Sequence, residues 1–192
     1  GHLMNQLKLK DVFLISANYQ AGKDMFIGFK RYYKGEVVGE VYTRFGQVDF
    51  APELSTLRTA KPEATFVFYP GGMGVQFVRQ YAQAGLIKKI PLYTVWTVDQ
   101  GSLPAIGDDA IGVRSTNVWN IDHKNPTNQR FVEDFKAKTG FLPSDYAAHH
   151  YDAIMLVDSA VRAVKGNLSD KDAVRNALRK ADFKSTRDGP FS

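Results

Sequence analysis

The 192-residue chain contains no cysteine. This absence excludes a disulfide framework, a thiolate metal site and a cysteine nucleophile. It is compatible with an oxidising compartment that needs no covalent cross-links, and equally with the cytosol. The sequence also lacks any stretch approaching the roughly 20 consecutive apolar residues of a membrane helix. We therefore expect no direct insertion into a membrane.

Signatures of catalysis are missing as well. There is no Gly-x-Ser-x-Gly elbow, no Walker loop and no His-Glu-x-x-His pair. Asp108 and Asp109 are adjacent and point apart, which disfavours a paired-carboxylate mechanism. His149 and His150 have no second ligand four residues on, so no metal site is predicted. We expect neither an enzyme nor a cofactor.

Charge of either sign is modest. The formal net charge is +5, and the basic residues are scattered over predicted helix faces without forming a dense run. Because no recognition motif accompanies this charge, no nucleic-acid partner is expected.

What the sequence does contain is an alternation of apolar strand-type segments with amphipathic helices. Strands are predicted at 12–16, at 36–45, after residue 64, at 91–95 and at 112–118, and helices at 22–33, after residue 49 and after residue 72. Continuous apolar strands separated by helices are typical of a parallel sheet covered on both faces. The predicted fold class is therefore α/β.

From Asn125 onward the sequence predicts helices without new strands. Asn125 starts a helix that Gly140 ends, residues 146–165 form a long apolar helix, and a capping-box variant at Ser169 opens the last one. The change of character near residues 119–123 indicates a linker or a crossover. Helices packing on the same sheet would give a similar pattern.

Both ends of the chain are expected to be cuts within a longer protein. Residues 1–4, Gly-His-Leu-Met, resemble the remnant of a cleaved tag, and residues 1–9 are interpreted as a probable tag or leader. Residues 187–192 have turn chemistry that predicts the approach to another strand. A native targeting signal is not visible in this sequence.

The most informative local feature is a glycine-rich turn between a predicted strand and a helix. Gly71, Gly72 and Gly74 let the backbone approach a ligand, and the helix that follows directs its unpaired N–H groups to the same place. A tight turn without a ligand is the plain alternative. A dinucleotide fingerprint fits less well, because Phe77 stands where the third glycine belongs.

Several short motifs, each weak alone, occur in a specific order and spacing. They are Ala21-Gly22-Lys23-Asp24, Val48-Asp49-Phe50, Lys61-Pro62-Glu63-Ala64, Gln83-Ala84-Gly85-Leu86, Gly107-Asp108-Asp109-Ala110-Ile111-Gly112, Asn125-Pro126-Thr127-Asn128, and Tyr146-Ala147-Ala148 with Tyr151-Asp152-Ala153. Through these motifs the chain after Lys10 resembles the leucine/isoleucine/valine-type periplasmic binding proteins, the ligand-capturing components of ABC importers.

The resemblance implies two Rossmann-like lobes, joined by crossing strands, that close on a small-molecule ligand. Residues 10–118 would form most of the second lobe, residues 119–124 an interlobe crossing, and residues 125–192 helices of the first lobe, whose sheet would be encoded upstream. It further implies a periplasmic location and an ABC-transporter permease in the membrane as the partner that receives the ligand.

The resemblance also implies ligand-facing loops at the carboxyl ends of three strands. The same loops follow from the residues alone, since each comes after a predicted buried strand. The candidate ligand-binding residues are Tyr19, Gln20, Gly71, Gly72, Met73, Trp96, Thr97 and Asp99, with Tyr146 and His150 from the helical segment. An exposed loop position for Tyr19 and core positions for Tyr146 and His150 are the plain alternatives.

Trp96 indicates the class of ligand. Amino-acid-binding members place a carboxylate at the corresponding position, where it pairs with the substrate ammonium. A buried ammonium without a counter-charge is strongly destabilised, so Trp96 disfavours an α-amino acid. The indole offers a broad apolar face and one N–H donor, which suits an aromatic or other amine-free carboxylate.

Three other functions stay open at this point. Asp99 could meet an ammonium if the alignment shifts, and the ligand would then be a branched-chain amino acid. The turn at Gly71 could hold the phosphate of a nucleotide in a Rossmann-type enzyme. A sensory or regulatory ligand-binding domain would share the same fold.

Overall fold

The computed structural model describes residues 1–187. Residues 188–192 lie outside the described residues, and the turn predicted there lies outside them too. The chain divides into two compact units, Gly1–Thr116 and a second unit that begins at Asn117. No helix of the described part is both long and apolar enough to cross a membrane.

The first unit contains a five-stranded parallel sheet, which confirms the predicted α/β class with a Rossmann-like parallel sheet. The strands lie in the order β2-β1-β3-β4-β5. They are β1 Asp11–Ala17, β2 Glu36–Thr43, β3 Thr65–Phe68, β4 Leu92–Val95 and β5 Arg114–Thr116. The helices are α1 His2–Gln6, α2 Gln20–Tyr32, α3 Ala51–Ala60, α4 Gly72–Gln83 and α5 Leu103–Ile106, followed by a 3-10 turn at Gly107–Ala110.

Helices cover both faces of this sheet because side chains alternate along each buried strand. On β1, Phe13 and Ile15 belong to a core cluster with side chains of α3 and α4. Val12 and Leu14 point the other way and pack with Met4 of α1 and with α2. Each such buried side chain contributes roughly 1.5 to 3 kcal/mol to folding.

The amino-terminal residues pack as part of the first unit. Met4 is buried within the α2-side cluster. The Asn5 side chain donates to Tyr32 O at 2.6 Å and accepts from Lys34 N at 2.9 Å. Residues 1–9 thus have packing partners that the sequence did not predict. Their origin as a tag remnant stays a prediction.

Strand β2 is shorter than predicted. The sequence alternation ran to Phe45, whereas the strand ends at Thr43, whose carbonyl accepts a hydrogen bond from Asn18 N at 2.8 Å. Gly46 then adopts a φ of 80° in a turn closed by the bond from Gln47 N to Arg44 O. Phe45 therefore leaves the sheet and is 67% exposed.

The second unit is built from α6 Pro126–Thr139, α7 Asp145–Ala163 and α8 Lys171–Lys180. Each helix begins at a side-chain cap: Asn125 accepts from Asn128 N, Ser144 from Ala147 N and Asp170 from Ala173 N. Helix α6 ends at Gly140, which has a φ of 79°. The predicted starts and stops thus agree with the structure to within about two residues.

Asn128 connects the segment before α6 to the core of the second unit. Its side chain is fully buried and accepts a 2.6 Å hydrogen bond from Trp119 Nε1. The amide nitrogen donates to the backbone carbonyls of residues 120, 121 and 123. Trp119 in turn packs edge-on against Phe131.

The glycine at the start of α4 supports a first prediction. A Cβ on Gly74 would lie 2.1 Å from Tyr69 O and 2.8 Å from Thr97 Cγ2, so Gly74→Ala should lower the free energy of unfolding by about 1 to 3 kcal/mol. Gly28→Ala is the matched control, because Gly28 lies inside α2 with nothing within 4 Å, and it should stabilise by about 0.5 to 1 kcal/mol. Urea unfolding measures both. Equal midpoints for Gly74→Ala and the wild type would contradict this packing.

The buried amide of Asn128 supports a second prediction. Asn128→Asp removes the two N–H donors, leaves three carbonyls without their partner and buries a carboxylate. The free energy of unfolding should fall by at least about 2 kcal/mol. Asn176→Asp, an exposed change of the same kind on α8, should have little effect. Thermal unfolding followed by near-UV circular dichroism compares the two variants, and similar melting temperatures would refute the assigned role.

Candidate functional site

The order of the strands creates a crevice at one edge of the sheet. From β1 the chain crosses to β2 on one side, and from β3 it crosses to β4 on the other. Strands β1 and β3 are neighbours, and the loops that follow them run in opposite directions, which leaves a crevice between the two loops. Open α/β sheets bind ligands at such a switch point, outside the carboxyl ends of their strands.

Two helices begin beside this crevice. Helix α2 starts at Gln20, three residues after β1, and α4 starts at Gly72, four residues after β3. The first-turn N–H groups of a helix have no partner within it and attract negative charge. Both helices approach the strands closely because a glycine stands at the contact. A Cβ on Gly22 would lie 2.2 Å from Ala17 O, and a Cβ on Gly74 would clash with Tyr69 O in the same way.

Gly71 shapes the turn before α4. Its φ of 71° and ψ of −143° form a conformation that side-chain-bearing residues rarely adopt. Gly71 and Gly72 are both exposed, and apart from the adjoining backbone no atom lies within 4 Å of where their Cβ atoms would be. The turn thus presents bare backbone, as the sequence predicts, with open space before it.

Four aromatic side chains cross the carboxyl edge of the sheet in strand order. The ring centroid of Phe45, after β2, lies 5.3 Å from that of Tyr19, after β1. Tyr19 stacks at 6.2 Å and 6° on Phe68, the last residue of β3. Phe68 lies 6.4 Å from Trp96, which follows β4. We call these four side chains the aromatic row.

Exposure increases from the middle of the aromatic row outward. Phe68 is buried, Tyr19 and Trp96 are half-buried, and Phe45 is exposed. The row thus has a fixed base in the sheet and rings that present apolar surface at the edge.

Trp96 holds its place through an unusual backbone conformation. It has a φ of 48°, which is left-handed and uncommon for any residue other than glycine. Its backbone N–H donates to the carbonyl oxygen of Thr116 in β5 at 3.4 Å. Strained residues of this kind occur preferentially at functional sites. The turn directs the chain away from the sheet immediately after β4.

Thr97 and Asp99 act within their own loop in this structure. Thr97 is buried, and its Oγ1 accepts from Tyr69 N and donates to Val95 O, both at 3.0 Å. Asp99 Oδ1 accepts from Gly101 N at 3.0 Å and from Ser102 N at 2.9 Å. Thr97 braces the ends of β3 and β4, and Asp99 caps the turn before α5. Ligand contact by either residue stays a prediction.

Gln20 and Met73 differ in their surroundings. Gln20 is exposed, and its Nε2 donates to Asp24 Oδ1 at 2.8 Å, one turn along α2. Met73 is half-buried, and its Sδ accepts from Gly46 N at 3.2 Å. Met73 thereby ties the start of α4 to the loop after β2, which carries Phe45.

Tyr69, directly after β3, is a buried and neutral hydrogen-bonding group next to the site. Its hydroxyl lies 2.8 Å from Thr43 Oγ1, at the end of β2. Burial, and then the charge of Glu53, raises the pKa of the Tyr69 phenol far above its usual value. The phenol therefore stays protonated at any physiological pH and keeps the ends of β2 and β3 together.

Tyr146 and His150 belong to the second unit. Both are exposed on α7, one turn apart, and His150 Nδ1 lies 2.7 Å from Tyr146 O. The structure thus brings together the candidates at Tyr19, at the Gly71 turn and at Trp96. Within residues 1–187, no group of three or more acidic or histidine side chains is arranged to hold a metal ion.

Sequence reasoning missed Phe45 and Phe68 as members of the site. Phe68 is one of several apolar residues in a strand, so the apolar pattern does not distinguish it. Its position directly before the Tyr-Pro-Gly-Gly turn does indicate that it lies at a strand end. The sequence alternation includes Phe45 in β2, and only the early end of that strand at Thr43 places its ring beside the candidate site.

Comparison with known proteins agrees with this geometry. The family model described as periplasmic binding protein matches residues 1–192. A curated relative, Leu/Ile/Val-binding protein homolog 6 of Brucella melitensis biotype 1, is 29% identical over 195 residues, covering 96% of this chain and 49% of its own length. The chain thus spans about half the length of the curated relatives it matches.

Two solved structures are similar over most of the chain. A solute-binding protein of an ABC transporter from R. palustris, in complex with benzoate, has a TM-score of 0.93 and 32% identity, covering 97% of this chain and 52% of its own. Another, from Rhodopseudomonas palustris BisB5 in complex with 3,4-dihydroxybenzoic acid, has a TM-score of 0.84 and 32% identity, with coverage of 92% and 50%. With its sheet order, its crevice and a family match along its whole length, the chain belongs to the periplasmic binding proteins.

Proposed function

We propose that this chain is part of the substrate-binding component of an ABC import system, and that it captures an aromatic or other amine-free carboxylate. The observation that carries the proposal is the aromatic row, which ends at Trp96. The resemblance described above further implies that Trp96 stands where amino-acid-binding members place a carboxylate. The ligand's flat apolar body would lie against these rings. Two similar solute-binding proteins hold benzoate and 3,4-dihydroxybenzoic acid, which supports this class of ligand.

The ligand carboxylate needs donors, and backbone N–H groups beside the crevice can supply them. The first turns of α2 and α4 direct backbone N–H groups toward the edge where the aromatic row lies. The bare backbone at Gly71 and Gly72 lets a carboxylate oxygen come within hydrogen-bond distance. A phenolic ligand would find a further polar partner in the Tyr19 hydroxyl.

Capture rather than chemistry is the role we assign to these residues. Residues 10–118 would belong to the second lobe of a two-lobed protein and residues 125–192 to the first, with residues 119–124 as the crossing between lobes. The proposed location is the periplasm, and the proposed partner is the membrane permease of the same transporter. Coverage of about half of each relative supports this assignment.

Branched-chain amino acid capture is the second candidate, because the curated relatives are named as Leu/Ile/Val-binding protein homologues. It would require a counter-charge for the ligand ammonium. Asp99 is the nearest candidate by sequence, but one of its oxygens already accepts two backbone N–H groups of its own loop. We therefore rank this function below aromatic-acid capture.

A titration of the ¹⁵N-labelled chain with benzoate and, separately, with leucine tests the proposal. Benzoate should shift the amide signals of residues 19–22, 71–75 and 96–98 in a saturable manner. Residues 58–62, at the end of α3, serve as the reference that should not move. NMR detects millimolar binding, so a weak site is still seen. Shifts in these loops with leucine alone would overturn the proposal in favour of amino-acid capture, and none with either ligand would refute both.

A charge at position 96 gives a second test. Trp96→Glu should weaken benzoate binding relative to Trp96→Gln, because a negative charge at position 96 repels the ligand carboxylate across the crevice, by less than the roughly 1 to 4 kcal/mol of two carboxylates in direct contact. Both variants lose the indole and have the same size, so their ratio isolates the charge. The same NMR titration measures both affinities. Equal benzoate affinities for the two variants would contradict an anionic ligand bound in the crevice next to position 96.

A further inference from the structure

Phe45 combines high exposure with a firmly bonded loop. The ring is 67% exposed, yet the residue that follows donates from Gly46 N to Met73 Sδ at 3.2 Å. Gln47 N donates to Arg44 O at 3.1 Å, which closes the turn around Phe45. The Gln47 side chain donates to Asp49 O at 2.7 Å and to Glu53 Oε1 at 3.0 Å. The loop therefore holds this ring in one place without burying it.

Exposure alone would carry no meaning, because single exposed apolar side chains are common on protein surfaces. The location of Phe45 distinguishes it. Its ring meets Tyr19 at 5.3 Å and 58°, a tilted arrangement favoured by aromatic pairs. Through its contact with Tyr19, Phe45 extends the aromatic row beyond the strand ends at the crevice. No other ring of the row covers the outer face of the Phe45 ring.

We propose that Phe45 is a specificity-determining residue, the outer ring against which the ring of an aromatic carboxylate packs. The inference rests on the proposed function and deepens it, since it identifies the side chain that separates aromatic from aliphatic acids. Aromatic pairs gain attraction from their quadrupoles beyond the apolar area they bury. A saturated ring of similar size gains only the free energy of burying apolar area.

Benzoate and cyclohexanecarboxylate form the matched ligand pair for the test, since both carry one carboxylate on a six-membered ring. NMR titration of the full 192-residue chain gives both affinities for the wild type, Phe45→Leu and Phe45→Ala. Phe45→Leu should weaken benzoate about two- to tenfold while changing cyclohexanecarboxylate less than twofold. Phe45→Ala should weaken both ligands. Because Phe45 is exposed, all variants should keep the wild-type melting temperature.

Phe141→Leu is the control for removing an exposed ring, because Phe141 is 74% exposed and belongs to the second unit. It should leave both affinities unchanged. Direct contact is tested by isotope-filtered NOE spectroscopy, in which the protons of bound benzoate should show cross-peaks to the ring of Phe45. Cross-peaks would not arise if Phe45 acted only by holding Tyr19.

The outcomes separate this inference from the proposed function. If wild-type chain binds benzoate but Phe45→Leu keeps the full preference over cyclohexanecarboxylate, or no cross-peak reaches Phe45, the inference is overturned and aromatic-acid capture stands. If the wild-type chain binds neither acid while leucine shifts the same loops, the proposed function fails and the inference fails with it. A selective loss of benzoate with a cross-peak to Phe45 supports both.

Discussion

The candidate site depends on how closely the first turn of α4 approaches the end of β3. Gly74 makes this approach possible, because any side chain there would strike Tyr69 O. Thr97 fixes the same place from β4 by accepting a hydrogen bond from Tyr69 N. With the turn at Gly71 and the start of α4 held in this way, Met73 can reach the loop after β2 and secure it.

The sheet order turns this local constraint into an extended surface. Because β2, β1, β3 and β4 are consecutive neighbours, the residues that follow them lie side by side at one edge. The four rings of the aromatic row are spaced by 5.3 to 6.4 Å, within the range at which aromatic side chains attract one another. The row is thus both part of the packing and a surface for a planar ligand.

Much of this edge was predictable from sequence. Tyr19, Gly71 and Trp96 each follow an apolar run, so local signals were enough to place them at strand ends. Phe45 and the burial of Thr97 were not predictable, since they depend on where β2 stops pairing with β1 and on the contact between β3 and β4. The burial of Met4 in α1 was not predictable either. A helix this short gains its stability only from tertiary packing, which the local sequence does not show.

The left-handed conformation of Trp96 limits what other residues can replace it. β-branched side chains are strongly disfavoured at such a φ, whereas glycine, asparagine and aspartate tolerate it best and unbranched or aromatic side chains at a moderate cost. The backbone thereby sets which substitutions this loop can accept without changing shape. Aromatic, acidic or amide side chains could stand at position 96 on the same backbone, whereas a valine, isoleucine or threonine would require the loop itself to change.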